Sequence, residues 1–189
     1  MTERSPARDA ALDAITSNFS SVSRTLFPGG VPDAVEAFID LADRRMEQDC
    51  AAMDLSGLRT PARVRTVIAV RLRRMRPQRA AIRRAAGLLA LPGHARLAAR
   101  CTARTTDAIW HAAGDRSADF SWYSKRALLA VAYTATLLFW LNRDDPDDIH
   151  TLTFLDRRLV EIGQIGRVRR LLEAAISRFS PRPAEPVAA

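Results

Sequence analysis

Apolar positions recur every three to four residues along the chain, and no stretch alternates strictly over a strand length. The pattern therefore predicts helices throughout. Residues 7–16 read as a short helix with Leu12 and Ile15 inward, and residues 20–27 as a second, closed by Pro28-Gly29-Gly30. A longer helix follows over 33–53, with Val35, Phe38, Ile39, Ala42 and Met46 on one face and Asp40, Asp43, Arg44 and Glu47 outside. Thr60-Pro61 supplies an N-cap and first-turn proline for a helix whose stripe is Val64, Val67, Ile68, Leu72 and Met75. Pro77 restarts the chain into a helix over 82–90, and Pro92-Gly93 stops it. Another runs over 94–113 and breaks at Gly114-Asp115, with Leu97, Cys101, Ala108 and Ile109 in register. Asp119 is the expected N-cap of a helix reaching Asn142, apolar nearly all round after Arg126, which predicts an interior or subunit-interface position. The acidic run 144–148 reads as a turn and cap before a long helix over 149–179.

The expected architecture is all-α, a bundle of about eight helices. Residues 1–30 form a small head, 31–180 the main domain, and 181–189, with prolines at 181, 183 and 186, a disordered tail. The uncharged run 127–142 is shorter than the roughly 20 residues a spanning helix needs. No secretory signal is expected, because residues 1–17 lack an apolar core.

Charge changes the picture. Of 29 basic residues in 189, all but Lys125 are arginine. Residues 1–57 carry −5, residues 58–106 carry +13 with no acid, and residues 107–189 balance. Such a block suggests phosphate partners, nucleic acid or anionic lipid, or else a solvated face. Other chemistry is sparse. His94, His111 and His150 lie in separate segments, with no His-Glu-x-x-His or Glu-x-x-His pair, so no metal site is expected. Phosphate-loop and dinucleotide fingerprints are missing, and Cys50 and Cys101 stand far apart with no nucleophile signature. The acidic run lacks the ligand alternation of a calcium loop. The expectation is a non-enzyme without a cofactor.

The two short helices over 7–27, the Phe27-Pro28-Gly29-Gly30 turn and the long helix after them resemble the end of a TetR-type helix-turn-helix head. Only six residues precede Ala7, so the head reads as truncated. Its second helix offers one arginine, Arg24, within an acidic segment. DNA affinity depends on neutralising phosphates, so nucleic acid is the disfavoured partner.

The stretch Asp119-Phe120-Ser121-Trp122-Tyr123-Ser124-Lys125-Arg126, the run Leu128 to Tyr133 and the block Phe154-Leu155-Asp156-Arg157-Arg158-Leu159 form a specific set. With Leu26 to Gly30, Arg83-Arg84-Ala85 and Leu89 to Pro92, they closely resemble the lipid-binding accessory family of ubiquinone biosynthesis, the ninth protein of the coenzyme Q set. The resemblance covers roughly residues 10–170. It implies a TetR-like fold, a homodimer, and an apolar cavity holding an isoprenoid lipid or ubiquinone precursor, or a phospholipid. It also implies a non-catalytic role: the protein presents a quinone intermediate to the di-iron demethoxyubiquinone hydroxylase.

By motif position, the patch for that hydroxylase maps onto Ile109, Trp122 and Tyr123. Large aromatics with a polar handle suit interface hot spots, although the same pair could simply pack the helix junction. Cavity lining is expected from Val67, Ile68, Leu72, Leu97, Leu128, Ala132 and Tyr133, and Ile109 shares their pattern; pocket lining and core packing have the same signature. In the last helix, Val168, Leu172, Ile176 and Phe179 form a stripe bordered by Arg167 and Arg170. That arrangement fits an interfacial helix, and equally a core or dimer helix. The expected location is cytoplasmic, peripheral on the inner membrane. The competing reading is a TetR-like transcriptional regulator with a lipid effector.

Overall fold

The computed structural model describes the backbone of residues 26–115 and 121–179, and the side chains of 26–115 and 125–164. Its helices are α1 (Val31–Ala51), α2 (Thr60–Met75), α3 (Arg79–Leu89), α4 (Ala95–Ala112), α5 (Ser121–Asn142) and α6 (Ile149–Phe179). Short 3₁₀ turns, Arg76–Gln78 and Pro92–His94, lead into α3 and α4. No strand occurs among the described residues. The short helix expected over 7–16, residues 20–25 of the one expected over 20–27, Asp119 and the tail after 179 lie outside the described residues, while Leu26 and Phe27 are described and not helical.

Local chemistry accounts for the boundaries. Gly30 takes φ 70°, a left-handed conformation that suits glycine, at the N-cap of α1, and Pro32 occupies the first turn. Thr60 is already helical and Arg59 caps α2, one residue earlier than expected, with Pro61 in the first turn. At the end of α4, Gly114 takes φ 76°. The Asp115 N–H reaches Trp110 O at 3.1 Å and the Gly114 N–H reaches His111 O at 2.9 Å, the paired bonds of a Schellman stop.

The core sits where α1, α2, α4 and α5 meet. Helix α1 packs chiefly on α4 and α2, while α5 is held between α4 and α6. Phe27, Val35, Met46, Val64, Val67, Ile68, Leu72, Ile109, Leu129, Trp140 and Leu155 are all buried there. The α2 stripe is therefore the one its periodicity predicts. Helix α5 is buried on most sides and exposed along one. Its stripe Ala127, Val131, Thr134, Leu138 and Asn142 is exposed, with Val131 at 70% and Leu138 at 47%.

Candidate functional site

Two arginine-centred arrangements organise the bundle. The first lies in the core. Asp43, expected on the outer face of α1, is only 4% exposed. The reason is a partner: Arg71 Nη1 of α2 lies 2.5 Å from Asp43 Oδ1. Arg71 Nε donates to Tyr133 Oη at 2.8 Å, and Thr105 Oγ1 donates to Asp43 Oδ2 at 3.0 Å. Four helices thus converge on one buried ion pair, and Arg104 Nε adds a second positive group 3.8 Å from Asp43. Burial pushes the Asp43 carboxyl above the usual carboxylate range, against the opposing pull of Arg71 and Thr105. Burial likewise raises the Tyr133 phenol, with Arg71 opposing.

The second arrangement is a clamp on the α5–α6 corner. Arg79 donates to Trp140 O at 2.6 Å and also to Arg143 O, and Arg83 donates to Leu141 O. Carbonyls at the carboxyl end of a helix have no intrahelical partner, and guanidinium groups from α3 supply one here. Arg76 adds a bond to Pro146 O and an ion pair with Asp148 at 2.5 Å. The acidic run caps α6 as expected. Asp145 Oδ2 accepts from Thr151 N and Oγ1 at 2.8 and 2.9 Å, and Asp148 Oδ1 accepts from Trp140 Nε1 at 3.0 Å. Burial would raise the Asp145 carboxyl, but the Thr151 bonds outweigh it and hold the group below the usual range.

These contacts revise the reading of the basic block. Its arginines turn largely onto the acids of α1, of the corner and of α6. Arg100 binds both Glu36 oxygens at 2.9 and 2.6 Å, Arg74 both Asp49 oxygens, and Arg65 reaches Asp156 at 2.6 Å. The −5 and +13 segments thus meet inside one domain, which accounts for much of the block without a phosphate partner. Arg59, Arg73 and Arg96 remain exposed.

The sequence-predicted site residues fall into three groups. Val67, Ile68, Leu72 and Tyr133 belong to the hydrophobic core. Ala132 is buried, while Leu97 and Leu128 are half-buried. None of the seven lines the 820 Å³ groove between α1 and α2, whose walls include Phe38, Leu41, Val70 and Met75. Ile109 is a correction, because at 0% exposure it packs the core and offers no surface to a partner. Trp122 and Tyr123 lie in the first turn of α5, and their side chains fall outside the described residues. The helical backbone of α6 runs through Arg167, Val168, Arg170, Leu172, Ile176 and Phe179, whose side chains are also outside.

Asp43 and Arg71 are the residues that sequence reasoning missed, although a signal existed. Asp43 lies four residues after Ile39 and three before Met46; Arg71 lies four after Val67 and three after Ile68. Each sits on the apolar arc of its helix, and opposite charges on two such arcs can satisfy each other. Cys50 and Cys101 are buried, and burial raises both thiols, which suits inert packing. Among the described residues no group of three or more potential ligands could hold a metal ion, and no helix is long and apolar enough to cross a membrane.

Comparison with known proteins bears on this geometry. The COQ9 family model matches residues 95–166, the segment from α4 into α6. The chain is 32% identical over 111 residues to the mitochondrial ubiquinone biosynthesis protein COQ9 of Rattus norvegicus, covering 59% of this chain and 36% of that protein. It is 34% identical over 108 residues to the probable mitochondrial ubiquinone biosynthesis protein coq9 of Dictyostelium discoideum, covering 57% and 35%. These matches span about a third of the relatives' length. A TetR transcriptional regulator from Nitrosomonas europaea superposes with a TM-score of 0.66 at 20% identity, covering 85% of this chain and 99% of that one; it shows the fold. The resemblance read from the motifs therefore holds: over residues 95–166 the chain matches the COQ9 family, on an all-α, TetR-like fold.

Proposed function

We propose that this chain is an accessory protein of ubiquinone biosynthesis, not itself a catalyst, which holds an isoprenoid quinone intermediate and presents it to the di-iron demethoxyubiquinone hydroxylase. The observation carrying this reading is the family match across α4, α5 and α6, the helices bearing the Trp122-Tyr123 and Phe154 to Leu159 motifs. The hydroxylase would meet Trp122 and Tyr123 at the start of α5. Ile109, buried in the core, would not touch the partner. The far end of α6, with Arg167 and Arg170 beside Val168, Leu172, Ile176 and Phe179, would lie on the inner-membrane surface, guanidinium groups near lipid phosphates.

The uncharged exposed stripe of α5, with exposed Ile149 and Val160 on α6, supports a homodimer through these two helices. Single exposed apolar residues are ordinary, but an exposed stripe along one helix marks an interaction face. The experiment is native mass spectrometry of the chain mixed with liposomes containing a prenylated quinone. A retained quinone supports the reading, and a chain that takes up none overturns the lipid-holding role.

The TetR-like regulator with a lipid effector rests on the fold likeness alone. It predicts binding to a palindromic duplex that weakens steeply with salt.

A further inference from the structure

The basic block is not uniform. Residues 79–100, which make up α3, the Pro92–His94 turn and the start of α4, carry no polar side chain except five arginines and His94. Every other residue there is alanine, glycine, leucine, isoleucine or proline. A face solvated by water ordinarily mixes charges of both signs with uncharged polar groups, and this stretch has no acid, hydroxyl or amide side chain. It is nonetheless open to the outside. Arg83, Arg84 and Gly87 of α3, Leu91 and Pro92 at the turn, and Arg96 of α4 are exposed, Leu91 at 53%. Leu88 and Leu89, half-buried, bring further apolar area to the same bend.

The charge at this corner is largely uncompensated. Arg100 is neutralised by Glu36, but Arg83 donates to a backbone carbonyl, Leu141 O, and keeps its charge. Arg96 forms no ion pair among the described residues. The bend also bonds its own backbone. Ala90 N donates to Ala86 O, Leu91 N to Leu88 O and His94 N to Leu91 O, at 3.0, 3.2 and 2.9 Å. Donors already bonded within the bend need no water, which lowers the cost of carrying it into a lipid interface.

We propose that the α3–α4 corner is a docking surface for an anionic bilayer. Leu91 and Pro92 enter the headgroup boundary, while Arg84, seven residues before Leu91, and Arg96, five after it, bind lipid phosphates. Guanidinium groups suit that place because they are weakly hydrated and bond phosphate through two N–H groups at once. A nucleic-acid backbone would use the same charges but gain nothing from an exposed leucine between them. The contact needs neither the quinone reading nor the one at the end of α6. Arg79 and Arg83 bind α3 to the carbonyls that precede α6, whose 31 residues reach about 45 Å to their far end. A bilayer that meets both places therefore runs along the bundle.

The test is fluorescence of the full chain carrying an NBD label at Leu91→Cys; Cys50 and Cys101 are buried and react slowly. The probes are vesicles of phosphatidylcholine alone and of phosphatidylcholine mixed with phosphatidylglycerol. A blue shift and brightening on the mixed vesicles, absent on the neutral ones and with duplex DNA, is expected. Adding Arg96→Glu, at an exposed position, should raise the lipid needed about tenfold with an unchanged melting curve, and adding Arg84→Glu as well should raise it further. A response equal on neutral vesicles, or unchanged in both arginine variants, would overturn the proposal, and an equal response to DNA would overturn it in favour of nucleic acid. Mixed vesicles that float the chain without any response at residue 91 would also overturn this contact, and leave the one at the end of α6 standing.

Discussion

Asp43 and Arg71 face each other at 2.5 Å inside the bundle, each projecting from the apolar arc of its own helix. Removing either partner leaves the other charged and buried. Asp43→Ala or Arg71→Ala is expected to destabilise the fold by about 3–5 kcal/mol, whereas Asp43→Leu with Arg71→Met should cost much less than the two single losses together. Tyr133→Phe removes the acceptor for Arg71 Nε and is expected to cost about 1–3 kcal/mol. Urea unfolding of this set, read as a double-mutant cycle, checks all three.

Two carboxylates give opposite pH signatures. Asp145 has a lowered folded pKa, so its stabilisation is present above the ordinary carboxylate pKa and is lost as pH falls through the lowered value. Asp43 has a raised folded pKa, so its contribution is fullest below the ordinary value and declines as pH rises through the raised one. The stability of wild type relative to Asp145→Asn should therefore grow with pH, and relative to Asp43→Asn shrink. Thermal melts across the acidic range read both slopes.

The corner clamp predicts a local effect. Arg83→Ala frees Leu141 O, and Arg79→Ala frees Trp140 O and Arg143 O. Each should cost about 1.5–3 kcal/mol, the range for hydrogen bonds to charged groups. Amide exchange should quicken first in α5's last turn and at the 144–148 corner, and leave α1 protected.

For the exposed α5 stripe, the dimer reading makes a simple prediction. Wild type should sediment as a dimer, and Val131→Glu or Leu138→Glu as a folded monomer. A wild-type monomer would remove the basis for that interface.

Much of the bundle was legible in the sequence because the evidence for it is local. The α2 stripe from Val64 to Met75 emerged with the burial its period implies, and Asp145 caps a helix where an acidic turn precedes an apolar-periodic run. Asp43 was misplaced because a polar residue on an apolar arc signals burial only if its partner is known, and Arg71 lies on another helix. Val67, Ile68 and Leu72 turned out to be core for a related reason. Side chains around a cavity and side chains filling one share the same spacing, and only the packing of neighbouring helices distinguishes them. Motif position implies a surface role for Ile109, but the close packing of α4 in the bundle buries it.

The most direct measurement is a pull-down of the demethoxyubiquinone hydroxylase by the wild-type chain and by the Trp122→Ala/Tyr123→Ala double variant, with prenylated quinone present. Equal thermal melts should first show that both proteins are folded. The account predicts capture by wild type and selective loss in the double variant. Equal capture would contradict the assignment of Trp122 and Tyr123, and no capture by the wild type would contradict the presenting role itself.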